Sequence, residues 1–223
     1  YGVLSMAWMY ARLPETLRPE NSRSLQPSAI ADAVWQALST RRTLGYMLAT
    51  GVTQGMLLAT LYAAPQVMGD LLGMGGYFTI AFGASAAVMS TGSFLNSRLV
   101  GRFGMRLLSH LGMSVATLLS ALFLWLAYAN MVDGIVYVVL VSLINALCMA
   151  ASSNFNAMAM EPQGRIAGTA SSLFGSVTTL IQAGIAHFIG LAYNGTMIPL
   201  IAGLVVCGIV VLAIAGIAQA LGV

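Results

Sequence analysis

The sequence predicts an all-α membrane protein, a six-transmembrane-helix bundle, and three observations predict it. Of 223 residues, 59% are hydrophobic and only 7% charged, where ordinary soluble domains carry roughly 25% charged residues. Eight of the fifteen charges precede Thr43, so the remaining 181 residues hold seven, at Asp70, Arg98, Arg102, Arg106, Asp133, Glu161 and Arg165. These seven, with the turn residues among them, bound charge-free windows of about 26 residues or more, long enough to cross a ~30 Å hydrocarbon core as helix.

Residues 1–11 are apolar and read as the end of a truncated span, because the chain opens at Tyr1 with no initiator Met, basic n-region or cleavage site. Residues 12–43 contain Pro14, Pro19 and Pro27 and half of all the charge. That stretch is too long and polar for an inter-helix turn and reads as a cytoplasmic linker. Within it, Ser28 is placed to cap a short amphipathic helix whose apolar residues Ile30, Ala33, Val34, Ala37 and Leu38 recur at helical spacing. That helix is expected on the cytoplasmic membrane surface, the alternative being a disordered linker with accidental periodicity. A six-span bundle over residues 44–223 follows, with spans at about 44–68, 75–97, 107–129, 134–158, 166–190 and 197–220. The last charge-free window is long enough for two spans, and Tyr193, Asn194, Gly195 and Pro199 supply the turn that divides it.

The arginines set the orientation, since cytoplasmic loops carry the excess of positive charge. Arg12, Arg18, Arg23, Arg41 and Arg42 precede the first full span, Arg98, Arg102 and Arg106 follow the second, and Arg165 follows the fourth. All nine fall on one side, so both ends of the chain are expected in the cytoplasm. Asp70 and Asp133 at the opposite side and Glu161 at the arginine side read as solvated loop carboxylates.

Other function classes find little support. Cys148 and Cys207 stand alone in apolar runs and read as packing residues. His110 and His187 have no partner at metal-ligand spacing, so no metal site is expected, and no cofactor motif is present. The net charge of +3 arises without a single lysine and from arginines in short loops. Topology explains it better than a nucleic-acid partner. The expected partner besides substrate is the lipid bilayer.

The polar content of the spans repeats with a period of three. Spans one and four carry the large polar side chains, including Thr50, Gln54, Tyr62 and Gln66 in one and Asn145, Ser152, Asn154 and Asn156 in the other. Spans two and five are rich in Gly, Ala and Ser, which let helices approach closely. Spans three and six are nearly uniform Leu, Val, Ile and Ala and are expected to face lipid. Two units of three spans in one chain insert in opposite senses, a 3+3 inverted repeat of the kind from which secondary transporters are built. On span four, Asn145, Met149, Ser152 and Asn156 advance by four, three and four residues along one face. Gln54, with Tyr62 on its flank, and Gln182 of span five add to the same reading, a polar cavity for a substrate. The alternative for each amide is an interhelical hydrogen bond, worth ~0.6–2 kcal/mol. No span centre contains Asp, Glu, Lys or Arg, so a proton carrier, normally such a group, is expected outside this chain.

The loop after span two, with Gly92, Asn96, Arg98, Arg102, Gly104 and Arg106, resembles the second copy of the major facilitator superfamily loop motif. Gly104 permits its sharp turn, and its arginines can reach helix C-termini or carboxylates. The family's acidic position is not filled, Asn96 being the nearest polar residue. Leu13-Pro14-Glu15-Thr16-Leu17, and the stretch from Asn154 through Glu161-Pro162 to Gly168, Ser171 and Ser172, are similar to the bicyclomycin and chloramphenicol resistance branch of drug:proton antiporters. The resemblance covers essentially the whole chain as the seventh to twelfth spans.

The resemblance implies the C-terminal half of a major facilitator fold, with two six-helix halves rocking about a central cavity lined by the first and fourth spans of each. It implies efflux of amphiphilic drug-like molecules by proton antiport in a bacterial inner membrane, by a protein that is a monomer when complete. The glycine and serine-rich fifth span, with Gly168 and Ser172, would pack on the other half and act in gating. The coupling carboxylate would belong to the N-terminal half. Two other readings are open: a self-standing half-transporter that dimerises, and a rhomboid-like intramembrane serine protease using Ser85 and His187.

Overall fold

The structure is a computed structural model that describes residues 2–12 and 27–220. Its helices are α1 (Gly2–Arg12), α2 (Pro27–Ser39), α3 (Arg41–Gln66), α4 (Phe78–Phe103), α5 (Met105–Tyr128), α6 (Gly134–Met160), α7 (Ala167–Leu191) and α8 (Ile198–Ala220). Six of them, α3 to α8, are long and apolar enough to cross a membrane. A π-helical turn at Val67–Leu71 extends α3, and a 3-10 turn at Glu161–Ile166 joins α6 to α7. Gly104 (φ +80°) makes the bend between α4 and α5, and Gly195 (φ +83°) lies in the turn before α8. A left-handed φ of this kind costs a side chain that glycine lacks. The Leu13 to Leu17 motif and the linker from 13 to 26 lie outside the described residues.

The two polar spans form the centre. α3 packs on α6, α7 and α8, while α6 packs on α3, α4 and α5, and α5 also meets α8. Exchanging the first three spans for the last three maps the contact of α3 with α7 onto that of α6 with α4. It likewise maps α3 with α8 onto α6 with α5. The chain is thus a bundle of two three-helix units, as the expected 3+3 repeat requires. Tyr46 of α3 stacks on Phe155 of α6 at 5.8 Å, and Phe123 of α5 meets Tyr137 of α6 edge-on at 6.0 Å.

Several expectations change. The greasy spans do not face outward all round: α5 and α8 bury Met113, Ala116, Phe123, Leu204, Val211 and Ala215 on one side and expose Leu118, Leu122, Val206 and Ile209 on the other, and α4 has no buried residue. Leucine and valine interdigitate with other helices as readily as they face lipid tails, so hydropathy does not separate the two roles. Helix α2 begins at Pro27, one residue before the expected cap Ser28. It docks on the protein, with Ala33 and Ala37 buried against Ile166 and Ala170 of the α7 entrance. Its narrow alanine face suits close helix contact. Asp133 is no free loop carboxylate but the N-cap of α6, accepting from the Val136 amide at 2.8 Å. Glu161 pairs with Arg42 at the start of α3.

Candidate functional site: a cavity between three spans

A cavity of about 660 Å³ lies between α3, α4 and α6, within the ~300–1,000 Å³ usual for ligand sites. Leu57, Leu61, Met68, Phe82 and Met149 make it apolar, and Thr60, Ser85, Ser90, Ser93, Tyr137 and Asn145 place polar groups on its wall. Each helix supplies one face: on α6, Tyr137, Val141, Asn145 and Met149 follow at four-residue steps. The Asn145 amide donates to the Thr60 hydroxyl at 3.0 Å, and Thr60 donates onward to the Leu57 carbonyl at 2.7 Å. Ser85 and Ser142 share a hydrogen bond of 2.7 Å across α4 and α6. The Tyr137 hydroxyl is buried with no partner among the described residues, and its ring packs edge-on against Phe123 of α5.

Toward the arginine-bearing end a smaller recess of about 280 Å³ is lined by Gln54, Leu57, Met149, Ser152 and Gln182, among others. Gln54 Nε2 donates to the Ser152 hydroxyl at 3.3 Å. Met149, 42% exposed, lines both spaces. Of the six side chains expected at a substrate site, Gln54, Met149 and Gln182 meet at the recess, and Asn145 and Met149 at the larger cavity. Asn145 is only 3% exposed and is held by Thr60, so it is as much a structural tie as a lining group. Tyr62 is 70% exposed and Asn156 is exposed; they line neither space.

The loop-motif residues divide in the same way. Gly92 lets α4 approach α6, since a Cβ there would lie 3.0 Å from that of Ala146. Asn96 and Asn154 form a reciprocal amide pair, each donating Nδ2 to the other's Oδ1 at 3.1 and 3.0 Å. Asn154 was legible only as pointing away from the Asn145 stripe. Arg98 and Arg102 lie over the rings of Phe94 and Phe103, and Arg106 lines a recess with Arg42 and Glu161. At the same end Thr43 donates to the Ala159 carbonyl and Gln163 donates to Thr43, at 3.0 and 2.8 Å. On α7, Gly168 and Ser172 are exposed, with the Ser172 hydroxyl turned back to the Gly168 carbonyl.

Ser85 is committed to Ser142 and the Ala81 carbonyl, while His187 is exposed beside Phe188. The protease reading therefore lacks its nucleophile and base pair. The chain is 29% identical over 221 residues to the Bicyclomycin resistance protein homolog of Haemophilus influenzae, covering 94% of this chain and 52% of that protein. It is 29% identical over 197 residues to the Uncharacterized MFS-type transporter YdgK of Bacillus subtilis, covering 85% of this chain and 47% of that one. The chain thus spans about half the length of the curated relatives it matches. No solved structure matches it. Residues 1–186 match the Major Facilitator Superfamily, and with six apolar helices in a two-unit bundle around a membrane cavity, the chain belongs to that superfamily of transporters and is not an enzyme.

Proposed function

We propose that this chain forms half of the substrate path of a drug exporter that moves amphiphilic small molecules by alternating access in exchange for protons. The observation that carries the reading is the 660 Å³ cavity, apolar with a few polar groups on its wall. Such a wall suits a substrate that buries carbon and offers one or two hydrogen-bond acceptors. The H. influenzae relative, a bicyclomycin resistance protein homolog, points to antibiotic-like substrates.

In this reading Gln54, Asn145, Met149 and Gln182 contact substrate directly, and Tyr62 and Asn156 line the path beyond the two cavities toward opposite ends of the bundle. Gly92, Asn96, Arg98, Arg102, Gly104, Arg106, Gly168 and Ser172 serve gating between the halves. The proton carrier lies outside this chain, the membrane is the bacterial inner membrane with the arginine-bearing side cytoplasmic, and the complete protein works as a monomer.

The test is drug susceptibility and dye efflux in cells expressing the full-length protein. Met149→Trp narrows both spaces where they meet without removing a side-chain hydrogen bond and is expected to lower resistance at least tenfold, about 1.4 kcal/mol in substrate binding. Gln182→Leu removes an amide that lines the recess. Expression should be unchanged, while compounds rich in acceptors should be exported about fivefold less well than apolar ones, the effect of one hydrogen bond. If both variants export every compound as the unaltered protein does, the cavity is not the substrate site.

A further inference from the structure

A second apolar space lies on the outer surface of the bundle, between α4 and α5 with α6 as its floor, and encloses about 780 Å³. Thr91 and Asn96 apart, its walls are Ala, Val, Leu and Gly, and the Asn96 amide is spent on Asn154. Leu95, Leu99, Leu111 and Val115 are exposed along it. On α4 the lining runs from Ala87 to Leu99, about 18 Å of helix at 1.5 Å per residue. That is slightly more than half of a ~30 Å hydrocarbon core, so the groove occupies one leaflet, the one at the arginine-bearing end.

One turn beyond Leu99, on the same face, stands Arg102, with Arg98 beside Leu99. The Arg102 guanidinium carbon lies 5.5 Å from the ring centroid of Phe103 at the helix end, and that of Arg98 5.1 Å from Phe94 one turn back along α4; both arginines are exposed. No acidic residue occurs between Asp70 and Asp133, and Glu161 is occupied by Arg42. The first amides of α5 emerge at the same place without a side-chain cap, adding partial positive charge. In the second unit the counterpart of the groove floor is filled differently, because Ile181 and Ile185 of α7 press onto Gly51 and Gly55 of α3, and Ile189 onto Gly203 of α8.

We infer that the α4–α5 groove is a binding site for one anionic phospholipid of the leaflet at the arginine-bearing end. An acyl chain lies along Leu95, Leu99, Leu111 and Val115, and the phosphate is held by Arg98 and Arg102. Charge complementarity selects this occupant, because an apolar helix would fill the groove and leave two cations unanswered. The inference does not depend on what the transporter exports.

The test is native mass spectrometry of the full-length protein titrated with phosphatidylglycerol or phosphatidylcholine of identical chains. One phosphatidylglycerol is expected to bind more tightly than phosphatidylcholine. Arg98→Gln and Arg102→Gln, both at exposed positions, should each weaken it about fivefold and together about thirtyfold, with phosphatidylcholine unaffected. Equal binding of the two lipids by the unaltered protein, or unchanged phosphatidylglycerol binding by the double variant, would overturn the proposal. Leu111→Trp gives a second reading: trace brominated phosphatidylglycerol in phosphatidylcholine bilayers should quench the added fluorescence more than brominated phosphatidylcholine at the same level. Equal quenching, or none because another helix or a second copy covers the groove, would likewise overturn it.

Discussion

Replacing Asn154 by Leu removes one side of the reciprocal amide pair that ties α6 to α4, and its cost can be worked from the geometry. The pair makes two bonds, 3.1 and 3.0 Å. A hydrogen bond between membrane helices contributes ~0.6–2 kcal/mol, and a polar group left unpaired away from water costs ~1–3 kcal/mol. Asn154→Leu and Asn96→Leu should therefore each destabilise the protein by about 2 kcal/mol. The double replacement puts two apolar side chains at the contact and strands no amide. It should cost well under the sum of the singles, with a coupling energy of about 1–2 kcal/mol. The assay is equilibrium unfolding of the full-length protein and the three variants in mixed micelles. Losses that add to within ~0.5 kcal/mol would refute the reasoning. The seam between α4 and α6 would then rest on the close approach of Gly92 to Ala146.

Two further outcomes are expected. Gly55→Val would place a Cβ 2.8 Å from the Cβ of Ile185, prising α7 from α3; a loss of about 1–3 kcal/mol, partly restored by Ile185→Ala, is expected in thermal unfolding. Arg42→Glu and Glu161→Arg should each lower stability by no more than ~1 kcal/mol, because the pair is partly open to solvent. Combining them should recover most of the loss in the same measurement.

The bundle was legible because a bilayer demands long charge-free helices, and Gly104 because a tight turn after arginines needs a left-handed φ. The site was legible only in part. The Asn145 to Asn156 stripe identified one face of α6, and continuing it back by four and eight residues reaches Val141 and Tyr137. The signal for the unpartnered hydroxyl was therefore present in the spacing, hidden in a run of valines. No such signal exists for the partner of an amide. Whether Asn145 turns to substrate or to Thr60, and whether Asn154 meets Asn96, depends on how helices rotate against each other, which a single sequence does not encode locally. The partner of Glu161 was missed for the same reason, since a long-range ion pair is settled by where the chain returns; the Asp133 cap is local, and an Asp directly before the first helical residue was its signal.

The two three-helix units share one contact pattern and fill it differently. Between α3 and α7 the seam is glycine against isoleucine, Gly51 with Ile181 and Gly55 with Ile185, an apolar lock in which any displacement forfeits many dispersion contacts at once. Between α6 and α4 the seam is Gly92 on Ala146 with two polar links, Ser85 to Ser142 and Asn96 to Asn154, and it leaves an open space on either side of α4. Hydrogen bonds of this kind fix register and orientation without demanding dense packing. An element so held opens at lower free energy than one gripped by interdigitated side chains. The difference between the two units thus locks α7 onto α3 and leaves α4 with an open space on either side.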